Sequence, residues 1–191
     1  MKKAFAILLA FCAGSLCSQE FKVGAPVSDF QVRDLDGKAV SFSSLKGPVT
    51  VVTFIATQCP VSNAYNNRMI ALYKDYTPKN VKFVFVNANR SEPASEVREH
   101  AKRVGFSFPV YKDPQNVVAD RFDAQVTPES YVIDGAGVLR YHGSIDDDMN
   151  AAKAHTERLR MALDAVLAGK PVQATETKAF GCTIKRVRKA S

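Results

Sequence analysis

Cys59 is the residue around which chemistry can be built. It stands in Cys59-Pro60-Val61-Ser62, just after the apolar, β-branched run at 49–56. In the segment that follows, 60–76, the apolar residues Ala64, Tyr65, Met69, Leu72, Tyr73 and Tyr76 recur at helical spacing. Proline suits the first helical position, where its missing N–H costs nothing. That puts Cys59 at or beside the N-cap, with free backbone N–H groups and the helix dipole directed at its sulfur. Both favour the thiolate, so a pKa below the free value of about 8.5 is expected. A thiolate is the nucleophile of disulfide exchange and of peroxide reduction.

The other cysteines are Cys12, Cys17 and Cys182. The first two fall in a leader: Lys2-Lys3, an apolar run at 4–16, then Ser18-Gln19-Glu20. A membrane-spanning helix needs roughly 20 apolar residues. The shorter run here reads as a secretory signal peptide over 1–18, and the mature chain as secreted or periplasmic with no transmembrane segment. Lipid anchoring at Cys17 fits less well, because Leu16 and not a small residue precedes it. Removal of the leader leaves Cys59 and Cys182, which in an oxidising compartment allow one intramolecular bridge. Such a bridge closes a loop of more than about 100 residues and stabilises by on the order of 4–5 kcal/mol in the chain-entropy model. Three fates are therefore open to Cys182: resolving thiol, half of a structural bridge, or a free or intermolecularly paired thiol.

Other reactive side chains offer less. His100 and His155 lie on helical segments and read as surface residues. His142 ends a strand, and with Cys59 it would make a soft Cys/His copper site, the alternative to a redox role. Asp146-Asp147-Asp148 reads as a polar loop capping the helix after it. Arg90 and Arg121 are candidate partners for a Cys59 thiolate. No nucleotide loop, catalytic carboxylate pair or Ser/His/Asp set is present, and no cofactor is expected. The net charge is +7, but Lys2, Lys3, Lys185, Arg186, Arg188 and Lys189 crowd the two ends. No stripe of basic and aromatic residues accompanies it, which argues against nucleic acid.

The elements that must position Cys59 follow from turns and periodicity. Asp36-Gly37 between 30–32 and 39–42 reads as a β-hairpin. Strands are expected at 49–56, 81–86, 108–111, 130–133 and 138–142, the last two joined by a turn at 134–137. Helices are expected at 60–76, 93–104, 113–122 and 150–167, with Gly105 and Gly169 as stops. This alternation implies a mostly parallel sheet with helices on both faces and a late hairpin at one side. The 191 residues, 46% of them hydrophobic, suffice for one core. The expected organisation is a domain at 21–169 followed by a tail, 170–191, that carries Cys182.

Phe54-Ile55-Ala56-Thr57-Gln58-Cys59-Pro60-Val61-Ser62 resembles the active-site stretch of exported thioredoxin-like proteins, Phe-Trp-Ala-Thr-Trp-Cys-Pro-x-Cys. Ala25-Pro26, Asp29-Phe30, Asp34-Leu35-Asp36-Gly37-Lys38 and Ser44-Leu45-Lys46-Gly47 resemble the N-terminal hairpin of the redoxin superfamily, the alkyl hydroperoxide reductase and thiol-specific antioxidant relatives. Val126-Thr127-Pro128 followed by Ser130-Tyr131-Val132-Ile133-Asp134 resembles the loop whose cis-proline faces the reactive cysteine. Gly143-Ser144-Ile145-Asp146-Asp147, the stretch at 163–172, Glu176-Thr177-Lys178 and Gly181-Cys182-Thr183-Ile184-Lys185 resemble the peroxiredoxin-like redoxin family with its Gly-Cys-x-Ile-Lys tail.

The resemblance covers about residues 24–186. It implies a thioredoxin-like α/β fold with an N-terminal β-hairpin, a central mixed sheet flanked by helices, and an extended tail. It further implies thiol–disulfide exchange or weak thiol peroxidation with thiols, disulfides or peroxides as partners, Cys59 attacking, Cys182 resolving and Pro128 shaping the substrate groove. Two departures qualify it. Ser62 stands where a dithiol oxidoreductase has its second cysteine. A peroxiredoxin carries Pro-x-x-x-Thr-x-x-Cys, and here Val52 and Ala56 replace its proline and threonine, although Thr57 is near.

Overall fold

The computed structural model describes residues 20–188. The expected signal peptide, the alternative of lipid at Cys17 and the last residues of the tail, 189–191, lie outside the described residues.

The sheet is built around two runs that are apolar on both faces, as buried central strands must be. β3 (Val49–Phe54) is buried along its whole length, and β4 (Val81–Asn87) exposes only Lys82. They pair in parallel, Val49 opposite Val81 through Phe54 opposite Val86. β5 (Val110–Lys112) continues the parallel block beside β4. The hairpin of β1 (Gln31–Arg33) and β2 (Ala39–Ser41) joins antiparallel at the β5 edge. On the other side β7 (Glu129–Ile133) lies antiparallel to β3, and β8 (Leu139–Gly143) antiparallel to β7. The order is β2-β1-β5-β4-β3-β7-β8. This corrects the expectation of a mostly parallel sheet: the parallel block is β5-β4-β3, and the sheet as a whole is mixed.

Period-two alternation along these strands makes two cores. Val51, Phe83, Phe85 and Val132 face one layer, with Met69 and Leu72 of α3 (Asn66–Tyr76), Val97 of α4 (Ala94–Val104), and Leu159 and Leu163 of α6 (Arg158–Leu167). Val52, Phe54, Val84, Val86, Tyr131 and Ile133 face the other. There they meet Phe42 of α1 (Phe42–Leu45), Val118 and Ala119 of α5 (Val117–Arg121), and an aromatic group of Phe21, Phe30 and Phe122. Phe122 sets its edge to Phe21 and Phe30 with centroids 4.7 and 5.5 Å apart, the arrangement ring quadrupoles favour.

Several helices are shorter than their apolar spacing suggests. The segment 60–76 divides at Tyr65 into α2 (Pro60–Ala64) and α3. Tyr65 N–H bonds to Ser62 O, a tight turn, while its buried ring sends the hydroxyl to Asp146 at 2.6 Å. The helix expected at 150–167 begins only at Arg158, because Asp147 takes the N–H groups of His155 and Thr156 and holds them in a loop. The helix expected at 113–122 shrinks to α5, because Asn116 is left-handed at φ 59°. His100 is also corrected. It is 4% exposed, on the inner face of α4, with its ring edge-on to Phe106. The tail is not featureless. β9 (Cys182–Thr183) pairs antiparallel with β6 (Val126–Thr127), outside the main sheet.

Candidate active site

Cys59 is the N-cap of α2. Its Sγ accepts the Ser62 N–H at 3.3 Å, and Pro60 takes the first helical position. The turn leading to it is fastened at every residue. Ala56 N–H bonds to Ser62 Oγ at 3.1 Å, and Thr57 N–H and Gln58 N–H bond to the two carboxylate oxygens of Glu92 at 2.8 and 3.1 Å. Thr57 Oγ1 and Gln58 Nε2 both donate to Glu96. Ser62 thus stands in the place of a second cysteine with a structural task, closing the turn that holds the first. The Thr57 hydroxyl, next in sequence to the position of the missing peroxide-binding threonine, is committed to Glu96.

The wall opposite Cys59 is the loop into β7. The Thr127–Pro128 bond is cis, as the resemblance of this loop implies. Cys59 Sγ lies 3.4 Å from Thr127 O, to which a protonated thiol donates. Glu129, next in the chain, holds the loop from beneath. Its carboxylate accepts Gln125 N–H at 2.8 Å and Val126 N–H at 3.1 Å, and pairs with His142 Nε2 at 2.5 Å. The His142 ring stacks on Tyr131, centroids 4.5 Å apart.

The tail brings in the second sulfur. In the β6–β9 register Thr127 is opposite Cys182. Gly181 makes this approach possible: a Cβ there would lie 1.9 Å from Thr127 O. Both cysteines are unbridged, Cys59 buried at 3% exposure and Cys182 half-exposed. The two thiols influence each other, and their pKa values shift in opposite directions. Burial pushes the Cys59 thiol up, but the neighbouring Cys182 thiol and the Ser62 N–H outweigh this and bring it below its ordinary value. Burial and the Cys59 sulfur together push Cys182 up. Both shifts favour the thiolate on Cys59, whose sulfur also has the Ser62 N–H.

The other candidates from the sequence lie elsewhere. Arg121 covers the Phe21 ring at 4.3 Å and donates to Asp29 O. Arg90 is exposed, and its backbone N–H meets Lys185 O. Neither is a partner of Cys59. His142 Nε2 is directed at Glu129, and among the described residues no three of His, Cys, Asp and Glu are disposed around a common metal position. Asp146 is buried against Arg68 and Tyr65, while Asp147 caps the loop at 155–156.

A cysteine sulfur after the carboxyl end of a central strand, a cis-proline loop across from it, and an N-terminal hairpin on the sheet edge are a recognisable set. The sequence profile described as the AhpC/TSA family matches residues 23–142. The chain belongs to that family. The chain is similar to thiol-disulfide oxidoreductase ResA of Halalkalibacterium halodurans, 28% identical over 130 residues that make up 67% of this chain and 73% of that one. Among solved structures it is similar to an uncharacterised conserved protein from Geobacillus kaustophilus, with TM-score 0.82, 32% identity, and coverage of 89% of this chain and 95% of the other. A hypothetical protein from Sinorhizobium meliloti 1021 gives TM-score 0.80 and 30% identity, over 90% and 98% of the two chains.

Glu92, Glu96 and Glu129 are the site residues that sequence reasoning missed. Glu92 had a signal. It follows Asn87 and Asn89 past the carboxyl end of β4, next to the end of β3 from which Cys59 emerges, and α/β sheets place their sites at that end. Burial pushes the Glu92 carboxyl up, but the N–H groups of Thr57 and Gln58 and the amides of Asn87 and Asn89 hold it below the ordinary value. Glu129 carried no comparable signal, since its partner His142 is found only once β7 and β8 are paired.

Proposed function

We propose that the protein is a thiol–disulfide oxidoreductase whose redox pair is Cys59 and Cys182, exchanging with protein or small-molecule thiols and disulfides. The observation that carries this reading is the β6–β9 register, which sets Cys182 beside Cys59 across Thr127. The thiolate on Cys59 attacks a substrate disulfide and forms a mixed disulfide. Cys182 then attacks Cys59, releases the second substrate thiol and leaves the pair oxidised. Pro128 shapes the wall against which the substrate sulfur lies. Membership of the family and likeness to ResA support the reaction class. Peroxide reduction is the lesser activity in this reading, because Val52, Ala56 and the committed Thr57 hydroxyl give a peroxide nothing to bind.

A redox titration tests the enzyme against a purely structural bridge. The expected midpoint lies above about −300 mV, in the range of exchangeable pairs. A midpoint far below that value would make the bridge structural and end the enzymatic reading.

The same proposal has residues 1–18 removed on export and the domain at 21–169 working outside the cytoplasm, where a disulfide persists. N-terminal sequencing of protein from its host should start after residues 16–20. An intact Met1 on the mature protein overturns export.

A further inference from the structure

Cys59 and Cys182 are not equally reachable. Beside Cys59 the backbone edge that an extended polypeptide would pair with is β6, and β9 already occupies it. The tail is clamped on both sides of Cys182. Upstream, Thr175 O accepts His142 N–H and Thr177 N–H donates to His142 O, both at 2.9 Å. Downstream, Ile184 N–H meets Gln125 O at 3.0 Å, and the Ile184 side chain is buried in the core that holds Phe54 and Tyr131. Lys185 N–H and Val187 N–H donate to the side-chain oxygens of Asn89 and Asn116, each at 2.7 Å. Arg186 pairs with Asp120 at 2.9 Å. A chain seeking Cys59, 3% exposed, must strip away this whole strap, while Cys182 is a residue of the strap itself and is partly exposed.

We propose that a polypeptide dithiol exchanges with the oxidised pair at Cys182 Sγ, and that the tail strand reserves Cys59 for small disulfides. This rests on the reading of Cys59 and Cys182 as a redox pair. A partner thiolate attacks Cys182 Sγ. The bond between the two cysteine sulfurs breaks, its electron pair leaves with Cys59 as thiolate, and the partner sulfur is joined to Cys182. The partner's second thiolate then attacks its own bonded sulfur and expels Cys182, which takes up a proton. The protein gains two electrons and the partner becomes a disulfide. Cys59 is the better leaving group, since the lower-pKa thiol leaves faster.

The test starts from protein oxidised to the 59–182 disulfide, verified by peptide mapping. The probe is thioredoxin whose second active-site cysteine is replaced by serine, so that the first adduct is trapped. The reaction is quenched in acid within the first turnover and the adduct mapped by mass spectrometry. At least ten times more adduct is expected on Cys182 than on Cys59. A majority on Cys59 overturns the proposal and leaves the redox pair standing. So does the absence of any adduct while glutathione still opens the disulfide. Failure to form the 59–182 disulfide at all overturns the underlying reading and this proposal with it, and that result is seen before the probe is added.

Discussion

Cys59→Ser should lower the reduction of a small disulfide such as glutathione disulfide by roughly 10³-fold or more, because no other group supplies the nucleophile. The fold should survive. Serine is among the best N-cap residues, and its hydroxyl can accept the Ser62 N–H that Cys59 Sγ accepts now. Cys59→Ala deletes that cap and should cost about 1 kcal/mol besides the activity. Cys182→Ser separates the two sulfurs by role. The attack by Cys59 is retained, turnover falls, and a mixed disulfide accumulates on Cys59, visible as a mass increase that dithiothreitol removes. Full turnover in Cys59→Ser, with the thermal midpoint unchanged, would end the assignment of Cys59 as nucleophile. Access matters to how this is measured. The sequence reads Cys59 as a thiolate at a helix mouth, but the structure buries it under β9. Its reactivity is therefore better followed with a small disulfide than with a bulky alkylating label.

What was legible in the sequence is what local physics decides. The runs at 49–56 and 81–86 are too apolar to lie anywhere but the middle of a sheet. Cys59-Pro60 after the first of them specifies a capped helix start, and Thr127-Pro128 before a strand marks the loop that faces it. What was not legible depends on pairs far apart in the chain. Ser62 reads as a missing cysteine until its hydroxyl is seen to bind Ala56 N–H. His100 reads as a surface residue until α4 turns it inward onto Phe106. The tail has no period, because it borrows its order from elsewhere. Two residues of β9 pair with β6, one side chain at Ile184 enters the core, and Asn89 and Asn116 tie down its backbone. Glu92 and Glu129 belong to the same class. Each is one acidic residue in sequence, and each gains its meaning from N–H groups that the fold delivers.

Glu129→Ala should be the most destabilising single change at the site. The carboxylate is 5% exposed and answers three donors, the N–H groups of Gln125 and Val126 and the His142 ring. Truncation removes the acceptor that the fold gives all three. Leaving the partners of a buried carboxylate without their acceptor costs about 3 kcal/mol, which for a chain of this size lowers the thermal midpoint by roughly 10 °C. Because the 125–128 loop carries β6, the tail should loosen with it, and Cys182 should become more reactive toward alkylation. Glu129→Gln keeps an acceptor and should lose about half as much. The pH dependence separates charge from packing. Burial pushes the Glu129 carboxyl up, but His142 and the Val126 and Gln125 N–H groups outweigh burial and hold it below its ordinary value of 4.5. A carboxyl whose pKa is depressed by folding stabilises fully above its unfolded value and loses that contribution as the pH falls through the folded one. The difference in urea stability between the native protein and Glu129→Ala should therefore be complete at pH 6 and shrink steadily below about pH 4. A difference that stays constant on acidification would mean the substitution removed packing alone, and that the carboxylate is not what holds the cis-proline loop against Cys59.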